Sequence, residues 1–126
     1  MRSNKVDDLI INYGNALLFY TFLVHFMLTL DNYECQVCGF SIKNKKGSYA
    51  EGAHIKPLGN PHNGDDNTDN LLCLCPNHHV MLDKGCFSFT DDLNLLGQES
   101  GNLIIHPNHK LNKSNLQYHR VTHGFE

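Results

Sequence analysis

Two short half-sites constrain this chain more than anything else in it: Cys35-x2-Cys38 and Cys75-x2-His78. A tetrahedral zinc site takes four thiolate or imidazole donors, often delivered as two pairs at this spacing, because a tight turn lets both side chains reach one ion. If the pairs meet, segments 35–38 and 75–78 are pinned together and everything between them becomes a closed excursion. Such an ion is structural, since four protein donors leave no open coordination position. In a chain of 126 residues its binding free energy would be a substantial part of the folding free energy. The five cysteines cannot all pair as disulfides within one chain, and thiolate ligands belong to a reducing compartment, so a cytoplasmic location is expected. Cys73 lies two residues before Cys75 and on a strand would share its side, as a substitute ligand; Cys86 reads as a small buried residue.

The excursion between the half-sites reads as hairpin-like loop, strand, loop, strand and helix. Ser41 to Ser48 carries Gly47 and three lysines, and Tyr49 to Ile55 follows as a short strand. Pro57 to Thr68 is rich in Gly, Asn, Asp and Pro and is loop. Leu71 to Cys75 is a second apolar strand. Pro76 suits a first helical position and Gly85 a stop, which predicts a helix from Pro76 to about Lys84. Beyond it, Phe87 to Thr90 and Asn102 to His106 read as strands around a turn at Asp91-Asp92, and Leu111 to His123 as a helix. The fold class is therefore α+β. Residues 31–106 are expected to form the core, residues 107–126 a C-terminal helix and tail, and residues 1–30 an apolar helix.

That first segment, Leu9 to Leu30, follows a polar start at Met1 to Asp8. Asn12, Asn15 and His25 interrupt it, and its clean part falls short of the ~20 apolar residues of a span. Asp31-Asn32-Tyr33-Glu34 offers no small-residue cleavage site. A helix apolar all round is then expected to be buried against its own core or in a homodimer, in preference to a membrane.

A second constellation lies inside the first. A phosphodiester-cleaving site that uses one metal ion needs a general base, a residue that aims it, and a metal ligand. His54 closes the first strand and reads as the base, because a neutral imidazole can take a proton from water near neutral pH. Asn70 precedes the second strand, where its side-chain amide could brace the loop that aims His54. His79 and Asp83 are four apart on the helix and share a face, which suits Mg²⁺ or a similar divalent cation, while His78 points elsewhere. Lys56 is placed to contact a phosphate oxygen. His106, His109 and His123 read individually as structural.

The net charge of −3 excludes holding nucleic acid by bulk electrostatics, so contact must come from local patches. Lys43, Lys45, Lys46 and Lys56 form one candidate; Lys110, Lys113 and Arg120 form another. No small-molecule cofactor is expected.

Cys35-x2-Cys38, Ala53-His54-Ile55-Lys56-Pro57, Asp69-Asn70-Leu71-Leu72, Cys75-Pro76-Asn77-His78-His79 and Asp83 together resemble the HNH endonuclease family. The resemblance runs from about His25 to His106. It implies a ββα-metal core and a metal-dependent endonuclease acting on DNA, of restriction or defence type. By this resemblance His54 matches the water-activating histidine, Asn70 the central asparagine and His79 the metal-binding final histidine. Many members carry a second C-x2-C where this chain has Cys75 and His78, a swap that still permits zinc. Members commonly place a metal ligand directly before the base; here that position is Ala53, so metal binding rests on His79 with Asp83 and Glu51. A zinc-stabilised nucleic-acid-binding module that has lost cleavage is the alternative that Ala53 keeps open.

Overall fold

The computed structural model describes residues 15–126, and in the first helix the side chains from residue 23 onward. The polar start and the first turns expected for the apolar helix lie outside the described residues. Helix α1 spans Asn15–Leu30. It stops where Asn32 and Tyr33 both adopt left-handed backbone, at φ 56° and 55°, and the Tyr33 amide donates back to the Leu28 carbonyl at 2.8 Å. No helix among the described residues is long and apolar enough to cross a membrane.

Three separate two-stranded antiparallel ladders follow. Strands β1 (Ile42–Asn44) and β2 (Gly47–Tyr49) form an exposed hairpin. Strands β3 (Glu51–His54) and β4 (Leu71–Leu74) pair in a register that sets Ala53 opposite Leu72 and His54 opposite Leu71. A single 3₁₀ turn, Thr68–Asn70, leads into β4, and helix α2 (Pro76–Asp83) follows it. Strands β5 (Phe87–Phe89) and β6 (Leu95–Gly97) make the third ladder, and helix α3 (Lys113–Thr122) ends the fold with Asn112 as its cap. The partner of β5 is therefore not the expected segment 102–106. Asn102 makes only an isolated bridge to Asn94, and Leu103 and Ile104 instead hydrogen bond to Leu93 and Gln36.

The β3–β4 hairpin divides the interior. Ala53, Leu72 and Leu74 turn into the main core with Leu82, Phe87, Phe89 and Leu116. Leu71 and Cys73 turn the other way, onto Met27 and Leu28 of α1. Cys73 thus does not share a side with Cys75 and cannot stand in as a ligand: β4 ends at Leu74, the alternation stops there, and Cys75 belongs to the main core. Burial pushes the Cys73 thiol far above its usual range, so it is an inert neutral group. The apolar helix packs one face on its own hairpin, while Phe26 stays 56% exposed. Gly52 makes the close approach possible, since a Cβ there would stand 2.7 Å from a Val24 methyl.

Candidate active site and metal centre

The segment between the half-sites closes on itself. The Cys35 amide donates to the Phe40 carbonyl at 2.9 Å and the Gly39 amide to the Cys35 carbonyl at 2.7 Å, with Gly39 at φ +77°. This turn points Cys35 and Cys38 at Cys75 and His78, and the four donor atoms lie within 4.8 Å of one another. The Cys38 and Cys75 sulfurs are 3.9 Å apart, and His78 Nδ1 lies 3.3 Å from the Cys75 sulfur and 3.8 Å from that of Cys35. Zinc–sulfur bonds of about 2.3 Å would set two sulfurs of a tetrahedron about 3.8 Å apart, so the donor set fits an ion such as zinc. On the far side of the ring, His78 Nε2 donates to Glu99 at 2.9 Å, which fixes the tautomer that leaves Nδ1 for the ion.

The other polar cluster lies beside it. His79 Nδ1 donates to Glu51 Oε1 at 2.7 Å, and the Tyr49 hydroxyl donates to Glu51 Oε2 at 2.7 Å. The carboxylate is 7% exposed, and each of its oxygens accepts a hydrogen bond, one of them from the His79 ring, which it orients. His79 Nε2 then faces Asp83 Oδ2 at 3.5 Å. That is long for a hydrogen bond, and near the roughly 3 Å between adjacent oxygen or nitrogen donors on a small divalent cation. His79 and Asp83 could therefore offer a divalent cation one borderline nitrogen and one hard oxygen.

His54 ends β3, and its Nε2 lies 3.2 Å from Asp66 Oδ1. Burial lowers its pKa below the ordinary imidazole value, with the Asp66 carboxylate opposing the shift. Asn70 is fully buried and binds the connecting loop at both ends. Its Oδ1 accepts from the Lys56 amide at 2.9 Å, and its Nδ2 donates to the carbonyls of Lys56 at 2.8 Å and Asp65 at 2.9 Å. Removing that side chain would leave buried backbone groups unpaired, at about 1–3 kcal/mol each. His54 and Asp83 line one cleft of about 380 Å³, with Tyr118, His119 and His123 of the C-terminal segment on its other wall. Lys56 Nζ sits 4.5 Å over the Tyr118 ring, and His62 Nδ1 meets the Tyr118 hydroxyl at 2.6 Å.

A family model described as HNH endonuclease matches residues 35–90. A solved structure described as a modification-dependent TagI restriction endonuclease is 40% identical, with a TM-score of 0.76 over 79% of this chain. Residues 35–90 form an HNH endonuclease segment. The chain spans 36% of the length of that solved chain. A comparison with curated proteins finds no match. The matched HNH segment takes in both half-sites, the β3–β4 hairpin and helix α2.

Around this HNH segment the structure adds partners that the sequence does not announce. Asp66 and Glu99 are carboxylates in loops, with no spacing to announce them. Gln36 sits inside the knuckle, 1% exposed, donating from its Nε2 to the Ile104 carbonyl at 2.9 Å and accepting from the Cys73 amide at 2.8 Å. The second basic patch loses Arg120, which is buried, donates to the Phe89 carbonyl at 2.8 Å, and pairs with Asp91 at 3.0 Å and Glu126 at 2.6 Å, while Lys110 and Lys113 stay exposed. His109 is a structural residue, clamped between Asp31 at 2.8 Å and the Leu71 carbonyl at 2.9 Å.

Proposed function

We propose that this HNH domain hydrolyses DNA phosphodiester bonds with the help of a divalent cation, as part of a restriction-type activity in the cytoplasm. The observation that carries the reading is the single cleft shared by His54 and Asp83, with His79 aligned on Asp83 from behind. In this reading His54 takes a proton from the attacking water, and its lowered pKa keeps it neutral and able to do so. Asn70 holds the loop from Lys56 to Asp65 in place, so that Asp66 meets the His54 ring at a fixed position. His79 and Asp83 would hold Mg²⁺ or a similar ion, which supplies charge neutralisation at the scissile phosphate and leaving oxygen. Lys56 adds positive charge over Tyr118, which lines the same cleft. Cys35, Cys38, Cys75 and His78 would hold a structural zinc that ties the knuckle to the start of α2.

Supercoiled plasmid incubated with the protein and Mg²⁺ or Mn²⁺ tests this, with wild type compared against His54→Ala. Nicking by wild type and its loss in the variant are expected; equal nicking by both removes His54 from the mechanism. A second reading, a zinc-stabilised DNA-binding module without cleavage, is favoured by Ala53. That residue is fully buried in the main core, so nothing at its position reaches the ion. It predicts zinc content and DNA retention with no metal-dependent turnover in wild type.

A further inference from the structure

The β1–β2 hairpin is the part of the fold that its own core explains least. A half-buried sheet alternates inward apolar and outward polar residues. Here every residue of β1 and both Gly47 and Ser48 of β2 are exposed. The ladder is regular, with Lys43 opposite Ser48, and its turn is fixed by Asn44 Oδ1 accepting the Lys46 amide at 2.8 Å. A defined two-stranded ribbon therefore stands in solvent along most of its length, with Tyr49 half-buried at its base.

Its charge is as one-sided as its exposure. Lys43, Lys45 and Lys46 are three of the ten lysines and arginines in a chain of net charge −3. No carboxylate occurs from Ser41 to Ala50, and none of the three lysines forms an ion pair among the described residues. The ribbon also leaves the fold beside the cleft chemistry. Tyr49, the last residue of β2, donates to the same carboxylate that holds His79. A partner gripped by the hairpin would lie along the chain path that runs into the site.

We propose that the hairpin Ile42–Tyr49 is a phosphate-gripping arm for double-stranded DNA. Its lysines neutralise backbone phosphates flanking the bond presented to the cleft. A two-stranded ribbon has the width that the DNA major groove admits, and lysine ammoniums in place of a bidentate reader imply affinity without sequence choice. The proposal rests on the nuclease reading for its purpose, though not for its test.

The test is fluorescence anisotropy of a labelled DNA duplex with the full chain in the His54→Ala background, so that binding is measured without cleavage. Two further forms are compared: Lys43, Lys45 and Lys46 all changed to Gln, or all to Arg. Because these side chains are exposed, zinc content and melting should match across the forms. The glutamine form should bind at least tenfold more weakly. Its dependence of log affinity on log salt should be shallower by about 2–3, the counterion release of three phosphate contacts. The arginine form should restore both. An unchanged affinity and slope in the glutamine form overturns the proposal, as does loss confined to an RNA duplex of equal length. Plasmid nicking separates the two readings: a wild type that binds through the hairpin but never nicks keeps the arm and removes the nuclease, while a glutamine form with unchanged binding beside a wild type that nicks does the reverse.

Discussion

His78 and His79 are neighbours on one helix of eight residues, yet they look into opposite kinds of surroundings. His78 offers Nδ1 to three sulfurs and ties Nε2 to Glu99. His79 does the reverse, tying Nδ1 to Glu51 and turning Nε2 toward Asp83. The first cluster is closed, with every donor supplied by the chain. In the second, His79 faces Asp83, and Asp83 lines a cleft. Position on a helix alone therefore does not set what a ring does. The carboxylate behind each ring selects which nitrogen faces forward, and the hardness of the atoms in front selects the ion.

The largest effect should come from treating the two neighbours alike. His78→Ala removes one of four donors from a closed site. Structural zinc is worth on the order of 10 kcal/mol, comparable to the whole stability of a small domain. Zinc content should fall to near zero and the cooperative thermal transition should disappear. His79→Ala should keep zinc and melting close to wild type while plasmid nicking falls roughly 10²-fold or more. Two variants with the same phenotype would erase the distinction between the clusters.

A smaller, paired effect probes the carboxylates. Glu99→Gln should weaken zinc retention against a chelator by about 10–100-fold and leave the Mg²⁺ dependence of nicking alone; Glu51→Gln should raise the Mg²⁺ requirement by a similar factor and leave zinc alone. Crossed effects would mean that the two orienting residues had been assigned to the wrong rings. The smallest effect is in pH. A free imidazole titrates near 6.5, and burial lowers His54, so the base stays neutral below that value. The acid limb of the nicking rate should therefore lie below pH 6.5. Asp66→Asn removes the carboxylate that opposes the shift and should move the limb further toward acid. A limb above 6.5 would assign the base to another group.

The features readable in the sequence were those whose partners sit at short, fixed spacing. Cys35 with Cys38, Cys75 with His78, and His79 with Asp83 are each set by one turn of chain, and Pro76 and Gly85 bracket α2 as local rules require. Gly85 holds φ +70° against the His123 ring, where a Cβ would come within 2.3 Å of Nδ1. What escaped depends on chain returning from afar. Glu99 reaches His78 from the loop after β6, and Tyr118 reaches His62 across 56 positions. Neither shows as periodicity or spacing. The exchange of Leu95–Gly97 for 102–106 as the partner of β5 has a similar cause: both runs are short and apolar, and Gln36, already inside the knuckle, claims the backbone of Ile104.

One consequence follows from the shared footing of both clusters on α2. With zinc bound, the sulfurs would anchor the first turn of that helix, and the ring that faces Asp83 is only one residue beyond His78. Oxidation of Cys38, the exposed thiol of the set, would loosen that anchor without anything entering the cleft. Under the proposed mechanism, peroxide could silence cutting from the back of the helix, and a thiol reductant supplied with zinc could restore it.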